Sequence, residues 1–592
     1  MASDSLSVFS WVTLVCFVVV IVLCIRPISL PLRVPVGKKT WHVALDLATA
    51  PVLGVLFLLA TNSIGGQVVA DGFLGSPDSI QPFSVVILVF ALAYICISID
   101  VTGFFEFVAF QVALRGGTNG KRLFLYLFLL STVMTIFTSN DVVVLTVTPI
   151  VCYLTEETKT KRTAYLLSTF IACNIASMAL YIGNPTNIVV AQAYEINFIQ
   201  YSAWMLLPTA VSLIIAYIMC WFVLLPDIPT ELPSPPPNAA QRYRIRRKWG
   251  AAIGCTVLLV CLIALMVVPI FAHVPVWELT LPFAVVMIVK DVILDVWVDR
   301  QSKGQTIEGA ALEMAQRGPN GSSGQGLIAY IPGDQSREDV QIFEVPPSNF
   351  HTTNHTSHTE HAPAESIQDR RGAPILEEFP PDECRRSVAS KPSSLSSEDS
   401  DSPSSRILPT VMMITRRLPW KLVPFSFGMF MLCEALSANG WVALLAKVMA
   451  RTSVGGHMLP IVFFTGVITT LACNIMNNLP MAILFARVFE HPEFEATAQS
   501  VIGGGDVAAT ATTVDALRRG GMFALIVGSN LGANLTFIGS LAGLMWADLL
   551  RKRDVVISQT NFLKKCVLIT PVVLVGTLAV LIAEFVVQRY YV

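Results

Sequence analysis

This 592-residue sequence has little charge. Asp, Glu, Lys and Arg make up 14% of it against 54% hydrophobic residues, and the mean hydropathy is +0.63. A soluble domain carries about 25% charged residues, so an ordinary soluble fold is excluded. Histidine is scarce, at eight, and the twelve cysteines are scattered, mostly in apolar segments, with no CxxC pair and no Cys/His cluster. They read as small packing residues, and no metal site or cofactor is expected. There is no phosphate-binding loop and no nucleophile–base arrangement, so an enzyme is not indicated. Any use of ATP would fall to another chain. The net charge of -1 points to no nucleic-acid partner.

What is present is hydrocarbon. Apolar runs at 12–25, 43–60, 82–99, 255–270 and 566–583 approach or reach bilayer-spanning length. The chain reads as a multi-pass protein of the plasma membrane or of a vacuolar or other organellar membrane. The run at 8–25 has no basic residue before it and no small-residue cleavage site, which predicts a retained span. Basic residues gather at 26–39, 115–122, 159–162, 242–248, 300–421 and 551–565, marking the cytoplasmic side. Segments 61–81, 194–200 and 273–278 have none and are expected to face outward. Tracing the spans places both termini outside.

Two apolar runs do not fit simple spans. The run 123–154 has basic flanks on both sides. As one helix it would be roughly 48 Å long at about 1.5 Å per residue, too long for one crossing. It is interrupted at Thr138-Ser139-Asn140-Asp141, which predicts a re-entrant hairpin. The run 459–488 is interrupted around Asn477-Asn478 and predicts a second hairpin entering from the opposite side, followed by a surface loop at 490–519. A broken helix follows each hairpin. One covers 164–192 and is cut at Gly183-Asn184-Pro185-Thr186-Asn187; the other covers 522–550 and is cut from Asn534 to Ser540.

The spacing repeats. Gly103 precedes Asn140 by 37 residues and Gly440 precedes Asn477 by 37; Asn174 precedes Gly183 by nine and Asn530 precedes Gly539 by nine. Duplicated polar breaks at bilayer depth are the sequence mark of a secondary transporter built from internal repeats. The expected fold is all-α and polytopic: two inverted repeats, about ten transmembrane helices, two re-entrant hairpins and two discontinuous helices. The first half is 1–298 and the second 410–592, with 249–298 open to assignment to the second repeat. Between them, 299–409 is rich in Ser, Pro, Gly and acidic residues and predicts a disordered cytoplasmic linker. Its Ser393–Ser400 stretch is a candidate phosphate acceptor, equally readable as bare solvated chain. The sequons at Asn320 and Asn354 are silent on that side.

Asp141 is the sharpest candidate. A carboxylate at a hairpin tip inside the membrane is costly and functional by default. Desolvation favours its protonated form, the property that proton coupling needs; the alternative is an N-cap for the second hairpin helix. Asn140, Asn477 and Asn478 offer uncharged donors and acceptors for substrate, or else satisfy loose backbone at the turns. Asn184, Thr186, Asn187, Asn534, Thr536 and Ser540 join them as binding candidates. Gly183, Pro185 and Gly539 permit the bends. Asp100 lies in a long helix expected over 83–114, and its readings are a proton relay or a partner for Asn or backbone. Glu434 interrupts the counterpart helix at 422–450. Glu106 is expected to reach Arg115 or the surface. Lys290, Asp291 and Asp295 are expected to be solvated or paired at an inner helix end.

These stretches, including Ile99–Glu106, Phe137–Val143, Ile182–Ile188, Asn477-Asn478-Leu479-Pro480 and Ile538–Ala542 with Trp546, resemble the bacterial arsenite efflux permease family of the ion transporter superfamily, close to citrate and sodium–proton carriers. The resemblance covers the membrane portion and implies export of arsenite or antimonite coupled to inward proton movement. It also implies substrate held at Asn140-Asp141 and Asn477-Asn478, and in some relatives a separate ATPase subunit. A homodimer is a further partner to consider. The leading expectation is a proton antiporter for a small inorganic hydroxide or oxyanion, with two halves rocking about a mid-membrane site. A citrate or dicarboxylate carrier and a sodium–proton antiporter are the nearest alternatives; a channel or membrane scaffold is the alternative of another class. Neither tip carries Lys or Arg, which weighs against a carboxylate substrate unless helix dipoles replace the cation.

Overall fold

The computed structural model describes residues 6–33, 40–75, 81–157, 161–232, 244–272, 274–316, 408–503 and 507–591. Internal contacts separate Met1–Asp299 with Ser404–Val592 from Arg300–Pro403. Most of the expected linker, with its phosphate and glycosylation candidates, lies outside the described residues.

The first half contains α1 (Val8–Ile25), α2 (Thr49–Ala60), α3 (Gly66–Leu74), α4 (Pro82–Val101), α5 (Phe104–Gly116), α6 (Gly120–Phe137), α7 (Asn140–Glu157), α8 (Thr163–Ala176), α9 (Pro185–Ala193), α10 (Phe198–Leu224), α11 (Lys248–Phe271) and α12 (Val276–Gln316). The second contains α13 (Pro409–Arg417), α14 (Leu422–Ala438), α15 (Trp441–Ala450), α16 (Met458–Met476), α17 (Asn478–Glu490), α18 (Pro492–Ile502), α19 (Val507–Gly532), α20 (Leu541–Lys552) and α21 (Gln559–Tyr591). The fold is all-α apart from an antiparallel ribbon of β1 (Ile28–Arg33) and β2 (Thr40–Leu45) beside the basic segment. Among the described residues, eight helical stretches are long and apolar enough to cross a membrane. The chain is an integral multi-pass membrane protein.

Burial is distributed as a lipid solvent requires. Val15 on α1, Phe222 on α10, Trp249 on α11 and Leu568 on α21 are exposed, whereas Asn174, Asn187 and Asn530 are fully buried. Hydrocarbon cannot hydrogen-bond, so polar side chains turn inward and apolar ones outward.

The two hairpins and two broken helices form where the sequence predicts breaks. The first hairpin is α6 and α7, parted at Thr138 and Ser139; the second is α16 and α17, turning at Asn477. The broken helices are α8 and α9 around a 3-10 turn at Tyr181–Gly183, and α19 and α20 around one at Phe537–Gly539.

Several expectations are corrected. The helices expected over 83–114 and 422–450 are each broken in two, at Gly103 (φ 82°, ψ 9°) and Gly440 (φ 80°, ψ 1°). Both residues are left-handed, a conformation glycine adopts without steric penalty, so the duplicated glycines are corners that swing the chain into each hairpin. The surface loop expected at 490–519 is instead α18 and the start of α19, with Phe494 and Ala498 buried. Segment 61–81, expected as a connection, contains α3, whose Phe73 stacks on Phe427 of α14 at 4.5 Å. Helix α12 runs on to Gln316, past the expected start of the linker.

Candidate functional site

Both halves shape their breaks alike. Asn184 (φ -149°, ψ 140°) caps α9 by accepting from the Thr186 N–H at 3.1 Å, with Pro185 at the first helical position. Ser540 (φ -149°, ψ 161°) caps α20 by accepting from the Gly543 N–H at 3.0 Å. These are equivalent positions, each one residue after the glycine that ends the 3-10 turn. A β-carbon at Gly183 would collide with the Ser177 carbonyl, so the tight turn admits only glycine there.

The tips attach to these breaks. At the first, the Asn140 amide donates to Asn174 Oδ1 at 3.0 Å and its own Oδ1 accepts from the Asp141 N–H at 2.9 Å. At the second, Asn477 donates to the Ile538 carbonyl at 2.9 Å and accepts from the Leu479 N–H at 3.4 Å. Asn477 has φ 71° and ψ 153°, a region almost confined to glycine, where strain costs of order 1–3 kcal/mol. Thr536 donates to Asn474 Oδ1 at 2.7 Å.

A buried amide lattice stitches the halves together. Asn174 donates to Asn534 Oδ1 at 2.9 Å; Ser177 and Asn184 donate to Asn530 Oδ1 at 2.8 and 2.9 Å; Asn530 donates to Asn187 Oδ1 at 2.8 Å. Thr186 and Ser529 hydroxyls lie 3.2 Å apart, and Asn187 donates to the Ser177 carbonyl at 2.7 Å. Farther out, Trp546 of α20 donates to Thr148 of α7 at 2.9 Å. Each of these groups is satisfied, as burial demands. Ser177 and Ser529 are network members that sequence reasoning missed; no local signal marks a serine whose partner lies in the other half.

The four breaks border one small, partly open cavity, lined by Asn140, Asp141, Asn184, Pro185, Leu422, Asn478, Leu479, Ser540, Leu541 and Ala542. Of the candidates, Asn140, Asp141, Asn184, Pro185, Asn478 and Ser540 line it. Asn187, Asn534 and Thr536 stand behind as braces, with Thr186, Gly183 and Gly539 around the turns. Asn477 faces a second, mostly apolar cavity of about 270 Å³ with Cys24, Phe425, Met429 and Pro480. Apart from Leu422, which begins α14, the lining residues belong to the first turns of α7, α9, α17 and α20. The N-termini of these four helices therefore meet at one space, each carrying about half a positive charge from its macrodipole.

Asp141 sits in that space. It does not cap α7; it lies in the first turn, half-buried, and among the described residues no hydrogen bond or ion pair reaches its carboxylate. The other acids singled out in the sequence differ. Asp100 accepts from Thr146 of α7 at 3.0 Å and pairs with Arg417 at 3.0 Å. Glu434 pairs with Arg487 at 3.3 Å, and Glu106 with Arg246 at 3.4 Å, not with Arg115. Lys290 and Asp291 are buried, not solvated: they pair at 2.9 Å, and both bond Ser98 on α4. Asp295 pairs with Arg247 at 3.0 Å and accepts from the Thr410 N–H at 2.7 Å.

A multi-pass membrane protein whose broken helices and hairpin tips enclose a central polar cavity is a membrane transporter, and comparison with known proteins agrees. Residues 6–297 match the citrate transporter family, and residues 404–584 match the family described as arsenical pump membrane protein. An arsenical pump membrane protein of Escherichia coli is 22% identical over 499 residues, 83% of this chain and 84% of the relative. One of Yersinia enterocolitica is 29% identical over 168 residues, 28% of this chain and 34% of the relative. An uncharacterized transporter of Mycobacterium tuberculosis is 27% identical over 143 residues, 24% of this chain and 33% of the relative. The chain is thus similar to arsenical pump membrane proteins over 83% of its length, and its first half matches the citrate transporter model.

Proposed function

We propose that the protein is a secondary active carrier that exports arsenite, antimonite or a related small inorganic oxyanion or hydroxide in exchange for protons. The observation that carries this reading is the meeting of four helix N-termini with one unpaired carboxylate in the same cavity. Backbone N–H groups, the Asn140 and Asn478 amides and the Ser540 hydroxyl offer donors to substrate oxygen. Asp141 offers an acceptor for a substrate hydroxyl. A compact molecule bearing several M–OH groups uses both kinds at once.

Coupling follows from competition. A proton on Asp141 takes away the charged acceptor that the hydroxyl needs and turns one oxygen into a donor, so proton and substrate occupy the site in turn. Substrate leaves toward one side; a proton then takes its place and returns toward the other. The amide lattice bears on how access alternates. It joins α8 and α9 to α19 and α20, and Trp546 ties α20 to the first hairpin. The halves therefore do not part as two rigid bodies at this site, and the hairpins and broken helices move together. The names of the relatives support an anionic or hydroxylated metalloid cargo. A separate ATPase subunit is not needed for this cycle.

A citrate-type carboxylate cargo is the second reading, favoured by the first half's family match and by the four helix ends, which supply positive field where no Lys or Arg lines the cavity. Purified full-length protein in liposomes under an imposed pH gradient, offered arsenite, citrate and sodium in parallel, separates the readings. Arsenite movement driven by the gradient is expected. Gradient-driven citrate or sodium movement without arsenite movement would replace the first reading.

A further inference from the structure

Neither hairpin tip carries a cation, yet the chain brings one to the approach from a distant segment. Arg417 ends α13, five residues before Leu422, which both begins α14 and lines the central cavity. Its Nη1 lies 3.0 Å from Asp100 Oδ2, while the other Asp100 oxygen accepts from Thr146 on α7 at 3.0 Å. Thr146 is five residues beyond Asp141, about 7.5 Å along the helix axis at about 1.5 Å per residue. Helix α7 leads from the tip toward its Glu157 end, next to the basic Lys161 and Arg162, so the Asp100–Arg417 pair lies between the cavity and the basic face.

The pair is unequal. The Arg417 side chain is 48% exposed and that of Asp100 is 14% exposed. A guanidinium has five N–H donors in a planar fork; Asp100 takes one, and among the described residues no other acceptor is bonded to Arg417. A buried carboxylate lightly holding a half-exposed, under-used guanidinium is the arrangement of a replaceable ligand. An oxyanion with two coplanar oxygens fits the free edge of the fork better than one carboxylate oxygen does.

We propose that Arg417 is an anion-recognising residue at the basic-side approach to the cavity, with Asp100 as its resident occupant until a small oxyanion or carboxylate displaces it. This goes beyond the carrier reading: the position stands apart from the cavity, and a neutral cargo would pass it unbound. Asp100 then acts as a tethered competitor and sets the threshold for anion entry.

The competitor arrangement predicts opposite signs for two neutral substitutions. Binding of citrate and of arsenate to the purified full-length protein, followed by titration calorimetry, is expected to weaken about tenfold or more in Arg417→Gln and to tighten severalfold in Asp100→Asn. Arg417→Lys, which keeps charge but loses the fork, is expected to fall between wild type and Arg417→Gln. Citrate favoured over arsenate identifies a carboxylate as the ligand, and the reverse an inorganic oxyanion. If the pair is only a brace, Arg417→Gln and Asp100→Asn shift affinity in the same direction, or neither does, and the proposal is overturned. Failure of wild type to bind either anion also overturns it. Liposome transport run beside the titration keeps the two readings apart. Arg417-dependent binding without transport contradicts the carrier, not this site; transport with binding unchanged in Arg417→Gln does the reverse.

Discussion

The two hairpin tips share one asparagine and differ in the residue that follows it. Asn140 and Asn477 are equivalent; the next residue is Asp141 in the first tip and Asn478 in the second, and both line the same cavity. The backbones differ too. Asn477 is held at positive φ with its amide on the Ile538 carbonyl, whereas Asn140 begins α7 with its amide on Asn174. Duplication thus supplies the enclosure and the four helix ends, and the difference between Asp141 and Asn478 supplies the charge. One tip is neutral and fixed to the turn of its broken helix; the other carries the one carboxylate that lines the cavity among the described residues. On the proposed exchange mechanism, coupling would reside where the repeats differ and binding where they agree.

The largest expected effect comes from erasing the difference. Asp141→Asn gives the first tip the Asn-Asn pair of the second. Gradient-driven flux in liposomes is expected to fall at least about 100-fold, about 2.7 kcal/mol on the rate scale, with the protein still folded. Undiminished coupled flux would remove Asp141 from the mechanism. Next is Asn530→Ala, which strikes what both tips depend on. It leaves Ser177, Asn184 and Asn187 short of a buried partner, and a loss of roughly 3 kcal/mol in stability is expected, read as a lowered melting temperature in detergent. An unchanged melting temperature would show that the lattice is not structural.

Reversing the asymmetry is expected to cost less. Asn478→Asp places a second carboxylate in the cavity, where like charges oppose joint ionisation. Flux should drop about tenfold, and its pH profile should broaden, because the paired acids titrate in two steps. A profile identical to wild type would mean that the tips do not share one space. The smallest effect is expected at Asn477→Gly. Strain is relieved while two hydrogen bonds are lost, so stability should change by no more than about 1 kcal/mol. A loss well above that would show that the Asn477 amide outweighs its strained backbone.

Much of the site was legible in the sequence because apolar runs make polar interruptions conspicuous. Asn140-Asp141, Asn477-Asn478 and the Gly183 and Gly539 breaks stand out against hydrocarbon, and the equal spacings pair them across the halves. The corners at Gly103 and Gly440 were visible as repeated glycines, but a lone glycine in an apolar run does not announce a left-handed turn. Helix α18 was hidden because its acidic, polar composition and the neighbouring Gly503-Gly504-Gly505 read as loop. Partners were the least legible feature. Asp100 meets Arg417 across 317 residues and Asn174 meets Asn534 across 360, and no local pattern encodes such meetings. The burial of Lys290 and Asp291 escaped for the same reason, since adjacency in sequence does not reveal the Ser98 that both contact.

The central claim is that substrate and proton exclude one another at Asp141. The direct measurement is proton release when arsenite is added to purified protein in weakly buffered detergent, at a pH where the site starts protonated. The account predicts release approaching about one proton per bound arsenite, affinity that weakens as pH falls, and no release in Asp141→Asn. Arsenite binding that is tight, independent of pH and without proton release would contradict it.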